Sequence, residues 1–316
     1  MFSKLLSFAA LAAGVFANDS YDVNMFYNNA IGVASAAAPQ FNFPTGTCLP
    51  SSASVNGQQN GGNAPDNCNI HKLNHNCPAQ PNFNGANTHL FSFPTYWDLR
   101  RCSQTEFRIA YNVYFTKDTG HRHDIEWVIL VWGSNDGGKT FYRNRMIFEQ
   151  DGSHPSKQWG DIQNTFSNGN DQLNLGQKYQ NHARVFVSKW HHSMHDDRYT
   201  QFKNTCPPNS VSDFRTDDYY FFAADNLQPM DSIPIPLHSL VDKDLKPYIK
   251  SLVVGSAKED PRSQGYTVVC KTEFACMDDM KFYDNECPAH GEFKNTVRTL
   301  GVEGVLTVYF TPGLIA

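Results

Sequence analysis

The sequence predicts a mainly β chain, a β-sandwich with helices flanking its sheets, and three observations carry that expectation. Short segments rich in aromatic and β-branched residues recur along the chain, as strands require. Long polar stretches rich in Gly, Asn and Ser separate them, which is the punctuation of turns and loops. The 316 residues are 40% hydrophobic, with 23 Phe and 14 Tyr, enough apolar mass for a large core. The charge balance, 26 Lys and Arg against 31 Asp and Glu, is net acidic. It therefore speaks against a nucleic-acid partner, which would be drawn by positive charge.

Taken in order, residues 1–17 read as a signal peptide. Lys4 gives a short basic start, Leu5 to Phe16 is apolar, and Val15-Phe16-Ala17 places small residues for cleavage after Ala17. A secreted, extracellular protein is expected, and no later run reaches the roughly 18 apolar residues of a membrane span. Residues 18–43 form an Ala- and Asn-rich N-terminal segment, and 44–316 is expected to be one domain. Ser51 to Asn69 reads as a surface loop. Phe107 to Phe115 and the almost continuously apolar Glu126 to Trp132 are the strongest strands, the second suited to burial on both faces. Asn135-Asp136-Gly137-Gly138 is a turn, and Thr140 to Phe148 its hairpin partner. Ala183 to Trp190, Tyr266 to Lys271 and Val305 to Phe310 are further strands. Leu237 to Leu252 is the best helix, kinked or ended at Pro247.

In an oxidising compartment the eight cysteines become disulfide candidates, and none has the C-x-x-C spacing of a zinc ribbon. Eight cysteines allow about 105 connectivities; Cys68–Cys77 and Cys270–Cys276 are the local pairs expected. Asn18-Asp19-Ser20 is a glycosylation sequon at the expected new terminus.

Chemistry concentrates in Asp118 to Glu126, between the two strongest strands. Asp124 and Glu126 share a strand face, with Cα atoms about 6.5–7 Å apart, and Asp118 stands across the turn. Such carboxylates repel unless a cation or protons intervene, and oxygen ligands suit Ca²⁺ or Mg²⁺. His121 would ligate the ion or orient a bound water, and zinc suits this set less well. The competing reading is a charged loop, which the position of Glu126 at the head of an apolar run makes costly. Trp190 to Asp197 is a second cluster, either a ligand source or an exposed histidine-rich turn. The chain has no nucleophile elbow, zinc-protease helix or phosphate loop. Asp124 and Glu126 point in parallel rather than flanking a bond as a glycosidase pair would.

Gly120-His121-Arg122-His123-Asp124-Ile125-Glu126 resembles the G-H-R-H-D-W-E signature of the necrosis- and ethylene-inducing-like proteins, secreted microbial cytolysins. Ile109 to Asp118 is similar to their A-I-M-Y-x-W-Y-F-P-K-D segment. Arg184-Val185-Phe186-Val187 with His192 and Met194 is similar to their later strand and K-H-A-M turn. The likeness runs from about Pro44 to Leu252. It implies an actinoporin-like β-sandwich without enzymatic activity, probing plant plasma membranes as a toxin or virulence effector and acting as a monomer. Its partner would be a sphingolipid head group, glycosylinositol phosphorylceramide, bound through a divalent cation, Mg²⁺ or Ca²⁺. The implied metal ligands are Asp118, His121, Asp124, Glu126 and His192, and Trp97, Trp159 and Trp190 are expected to touch the head group. Three departures stand out: Ile125 replaces Trp, with Trp127 two positions on; Thr119 alone separates Asp118 from Gly120; and Thr116 stands where the family has Pro. A non-cytolytic sugar-binding member, or a metal-dependent hydrolase using Asp124 or Glu126 as base, are the rival readings.

Overall fold

Two twelve-residue strands, Glu106–Lys117 and Arg122–Gly133, form the centre of the computed structural model. It describes residues 19–65, 74–83, 85, 87–167, 178, 180–201, 214–234, 249–257, 263–274, 277–285, 288–299, 302 and 304–308. The two strands pair antiparallel, with Val113 opposite Glu126 and Phe115 opposite Asp124. Side chains alternate across a strand, so Phe107, Ile109, Tyr111, Val113 and Phe115 share one face with Val128, Leu130 and Trp132, and all lie in the core. Ile125, Trp127, Ile129 and Val131 are buried on the other face. This agrees with the two-faced burial expected of the apolar run.

Around this pair, seven strands make one sheet, ordered Tyr21–Asp22, Thr140–Phe148, Arg122–Gly133, Glu106–Lys117, Thr95–Ser103 and Leu227–Pro229, with Ser156–Gln158 beside Thr140–Phe148. A second sheet runs Thr165–Phe166, His182–Val187, Gln40–Phe43, Tyr219–Phe222 and Thr88–His89, with Met194–His195 beside His182–Val187. Both sheets feed one core, and Phe43 of the second meets Phe115 of the first with ring centres 6.5 Å apart. The protein is thus mainly β, as expected. At the Asn135–Gly138 turn, Gly138 has φ +87°, and a Cβ there would stand 2.2 Å from the Gln104 carbonyl, so only glycine fits.

Several expectations are corrected. The chain forms two compact units, Met1–Asp242 and Lys243–Ala316, rather than one domain over 44–316. The sheets of the first unit are complete by Leu227–Pro229, so its core closes without the tail. Nor do residues 18–43 stand apart. Helices Val23–Asn28 and Ala30–Ser35 and the strand Gln40–Phe43 deliver Phe26, Val33, Ala34, Phe41 and Phe43 to that core. The strand expected over Ala183 to Trp190 spans His182–Val187, and the chain turns through His192 at φ +57°. In the second unit, Ile249–Ser256 pairs antiparallel with Val268–Phe274, and helices Met277–Asn285 and Pro288–Thr299 follow. Ile249 to Leu252, the end of the expected helix, is therefore strand, in keeping with its run of apolar and β-branched residues beyond Pro247. The remainder of that helix lies outside the described residues, as does the signal peptide. Residues 305–308, expected as strand, have no regular structure, and 309–310 lie outside the described residues.

One disulfide forms among the described residues, Cys48–Cys77, with Cα atoms 5.4 Å apart. It displaces the expected Cys68–Cys77 pair. The Cys270 thiol is free and exposed, so Cys270–Cys276 is not formed either; Cys68, Cys206, Cys276 and Cys287 lie outside the described residues. The bridge closes a separation of 29 residues around the polar loop. That loop reaches the end of the central hairpin, where Asn63 donates from its backbone to the Thr116 carbonyl (2.8 Å) and from Nδ2 to Thr116 Oγ1 (2.8 Å). Thr116, where the resemblance has Pro, thus supplies a side-chain anchor that Pro lacks. Replacing Cys48 and Cys77 with Ala should lower unfolding free energy by about 3–4 kcal/mol, the loop-entropy value for this span. Chemical denaturation of the variant against wild type, both without reductant, measures it, and an unchanged midpoint would refute it.

Candidate functional site

The site is built at the end of the central hairpin, where the core face of the sheet changes from apolar to acidic. Asp124 and Glu126 follow the same face as Val128, Leu130 and Trp132, so the register that buries the apolar residues also buries the carboxylates. Glu126 is 7% exposed and Asp124 5%. The turn before them is tied by Asp118, whose Oδ1 accepts from the backbone N–H groups of Gly120 and His121, each at 2.6 Å. The polar loop presses on the same turn, because Gly62 has no Cβ, and one there would stand 2.6 Å from the His123 ring. His123 takes φ +61° and is hydrogen-bonded through Nδ1 to the Tyr114 hydroxyl at 2.7 Å.

Two neighbouring groups result. In the first, Asp118 Oδ2 faces His121 Nε2 at 3.4 Å and His191 Nδ1 at 3.6 Å. His121 Nδ1 donates to the His123 carbonyl at 2.8 Å, so Nε2 is the nitrogen left to ligate. Burial pushes the Asp118 carboxyl up, but the His191 hydrogen bond, the nearby His121 and the two turn N–H groups together hold it below its ordinary range. His191 is raised in turn, first by its bond to Asp118 and against burial.

In the second group, His192 Nδ1 donates to Asp124 Oδ2 at 2.7 Å, and its ring stacks on Phe115 at 3.8 Å. Glu126 lies within hydrogen-bonding reach of both Asp124 and Glu149. Burial, the Asp124 charge and these contacts push its carboxyl well above the ordinary range. Glu126 Oε2 and Glu149 Oε2 are both buried with no donor facing them. Three carboxyl groups packed in this way require protons or a cation.

The five ligands expected from the sequence are thus brought to one end of the hairpin, in two adjacent groups. Among the described residues no three of these side chains stand in a ready ion cage. Asp124 is turned to His192, and Asp118 to its histidines and the turn. By donor chemistry the set still suits a hard divalent ion: clustered carboxylate oxygens, two of them without any donor, and a histidine nitrogen oriented by a backbone carbonyl.

The expected head-group contacts are not placed for that role. Trp159 and Trp190 are each only 2% exposed. Trp159 donates to the Gln180 carbonyl and lies under Arg143, and Trp190 packs on Phe214. Trp97 is half-buried against the core. Large aromatics on strands and strand-end turns filled the interior before the surface. Trp127 is buried on the face opposite the carboxylates, its ring 5.1 Å from that of His154, and Ile125 shares that face. The Trp-to-Ile departure therefore lies behind the acidic cluster rather than in it.

Sequence reasoning missed His191 and Glu149. Glu149 follows the apolar Met146-Ile147-Phe148 directly, which is the same signal of a charge bordering a core strand that singled out Glu126. It was masked by Gln150-Asp151-Gly152, which reads as a turn. The second histidine cluster is not an exposed turn: His191 reaches Asp118, His192 reaches Asp124, and His195 is buried. His195 Nδ1 accepts from Gln150 Nε2 at 3.0 Å, so its Nε2–H donates to Ser193 Oγ at 3.1 Å, and Ser193 donates to Ser188 Oγ at 2.8 Å.

Burial, with Arg215 nearby, pushes the His195 imidazole down to about 3. The unfolded chain takes up a proton near pH 6.5 that the folded chain refuses until about pH 3, so His195 costs stability progressively as pH falls through that window. His195→Gln should flatten the stability loss between pH 6.5 and 3, measured by denaturant midpoints across pH. A profile parallel to wild type would contradict this.

Comparison with known proteins divides along the chain. Residues 232–308 match the family model for the stress responsive A/B barrel domain, a match covering less than half of the chain. A protein of Gibberella zeae (strain ATCC MYA-4620 / CBS 123657 / FGSC 9075 / NRRL 31084 / PH-1), described as a fusaristatin A biosynthesis cluster protein, is 54% identical over 66 residues. That alignment covers 21% of this chain and 48% of the relative, so the chain spans about half the length of the curated relative it matches. Among solved structures, NLPPya in complex with mannosamine is similar with a TM-score of 0.37 and 14% identity, over 67% of this chain and 78% of that one. A triple mutant of NLPPya gives a TM-score of 0.36 at 15% identity over the same shares. Likeness at that level assigns neither fold nor activity.

Proposed function

We propose that the first unit is a secreted, non-enzymatic binder of sugar-bearing sphingolipid head groups on plant plasma membranes, acting through a divalent cation on a β-sandwich scaffold. The observation that carries this reading is the heptapeptide Gly120 to Glu126, which buries Asp124 and Glu126 side by side where their charge needs a partner. Asp118, His121, Asp124 and Glu126 would hold the cation. His192 orients Asp124 by its 2.7 Å bond, and the His123 carbonyl fixes the His121 tautomer. The cation, when bound, supplies a positive centre that a sugar hydroxyl can approach. The loop closed by Cys48–Cys77 brings Gly62 against His123 of the turn. Lysis makes the protein a cytolysin and virulence effector. Binding without lysis is the second reading, favoured by Ile125 and by the one-residue spacing from Asp118 to Gly120.

The second unit supports a separate reading. Its match to the stress responsive A/B barrel domain, taken with the likeness of 66 residues of this chain to the biosynthesis-cluster protein, favours a role in small-molecule biosynthesis.

Vesicles containing glycosylinositol phosphorylceramide should leak dye on addition of wild type with Ca²⁺ or Mg²⁺. They should stay intact with EDTA, with the Asp124→Ala variant, or when the sphingolipid is absent. Binding to those vesicles without leakage selects the non-lytic reading, and equal leakage by wild type and Asp124→Ala removes the cation mechanism.

A further inference from the structure

We propose that residues 305–308 form a strand on the open edge of Ile249–Ser256 in a second copy of this chain, so that two copies exchange strands and close into a dimer. Val305-Leu306-Thr307-Val308 has the composition of a strand, β-branched or aliphatic at every position. Yet the segment has no regular structure, and Val305, Leu306 and Val308 are 74%, 63% and 68% exposed. Such a segment gains backbone hydrogen bonds and apolar burial together only by joining the edge of a sheet.

The same unit holds an edge of that kind. Ile249–Ser256 and Val268–Phe274 form a two-stranded sheet, so each strand has one side unpaired among the described residues. Edges are ordinarily guarded against strand addition by charges, proline or a bulge. Val268–Phe274 carries Lys271 and Glu273, both exposed. In Ile249–Ser256 the charge of Lys250 and the register shift between Ile249 and Ser251 both fall at the start. Leu252-Val253-Val254-Gly255-Ser256 then runs without charge or proline, and Val253 and Val254 are exposed. This is the undefended edge of the sheet.

The exposed apolar surface calls for a partner of matching size. Of the sixteen large hydrophobic side chains exposed among the described residues, eleven belong to the second unit, although it is much the smaller of the two. A lone two-stranded sheet is marginal in water, and small units commonly reach stability by association. A second copy fits because each copy brings one unplaced strand and one open edge. Reciprocal exchange satisfies both, and a two-fold axis closes the assembly at two. Within one copy both elements are present and unjoined, which places the exchange between copies.

The test takes the full chain through a dilution series in size-exclusion chromatography with light scattering, with hydrogen exchange followed at each concentration. Wild type should have the mass of two chains, and the amides of 305–308 should be protected only at concentrations where that dimer forms. Thr307→Pro, which removes a ladder N–H, should lose the dimer, whereas Thr307→Val should keep it. A fluorescent peptide of residues 302–308 should bind Thr307→Pro, whose edge is vacant, and the same peptide with proline at the Thr307 position should not bind. Should Thr307→Pro lose its circular dichroism and fail to fold, hydrogen exchange of the wild type decides by itself. A monomeric wild type, a dimer that survives in folded Thr307→Pro, or assembly beyond two copies would each overturn the proposal. Protection of 305–308 that does not change with concentration would overturn it too, since the strand would then pair within its own chain.

Discussion

The pairing register of Glu106–Lys117 with Arg122–Gly133 is the constraint on which the rest of the first unit depends. Side chains alternate with a period of two, so placing Val128, Leu130 and Trp132 in the core also turns Asp124 and Glu126 inward. A slip by one residue would carry the carboxylates to the opposite face and bring Ile125 and Trp127 to the core face in their place, but it would also take Val128, Leu130 and Trp132 out of the core. The apolar residues outnumber the charged ones, and at about 25 cal/mol per Å² of buried apolar surface their preference decides the register. The acidic cluster is carried inside by its neighbours.

Burying charge in this way explains the supporting structure. Each carboxylate except Glu126 has found a hydrogen-bond donor: the turn N–H groups for Asp118, His192 for Asp124, and Gly152 for one oxygen of Glu149. These donors come from three separate stretches of chain, so the site end of the hairpin is cross-tied. The Cys48–Cys77 bridge and the anchor from Asn63 to Thr116 fall at the same end. Such ties oppose the mutual repulsion of the carboxylates when no counter-charge is present.

The two units raise different functional questions. The first is read from a signature and its buried chemistry, the second from a family match over residues 232–308. Each unit is therefore best tested by a readout of its own.

The sequence by itself determined the mainly β character, the central hairpin with its ends to within a few residues, and the acidic turn with Asp118, His121, Asp124 and Glu126. These are local facts: a period of two, a turn composition, a charge at the border of an apolar run. Only the tertiary structure decided that Cys48 rather than Cys68 reaches Cys77. The same holds for Trp159 and Trp190 filling the interior, His191 reaching Asp118, and Glu149 completing the carboxylate group. Each of those depends on segments tens of residues apart meeting across sheets, and sequence spacing carries no record of which strand ends will face one another. The tail showed the same limit, where the helix expected up to Leu252 is strand from Ile249, paired with Val268–Phe274 across a connection that sequence spacing does not record.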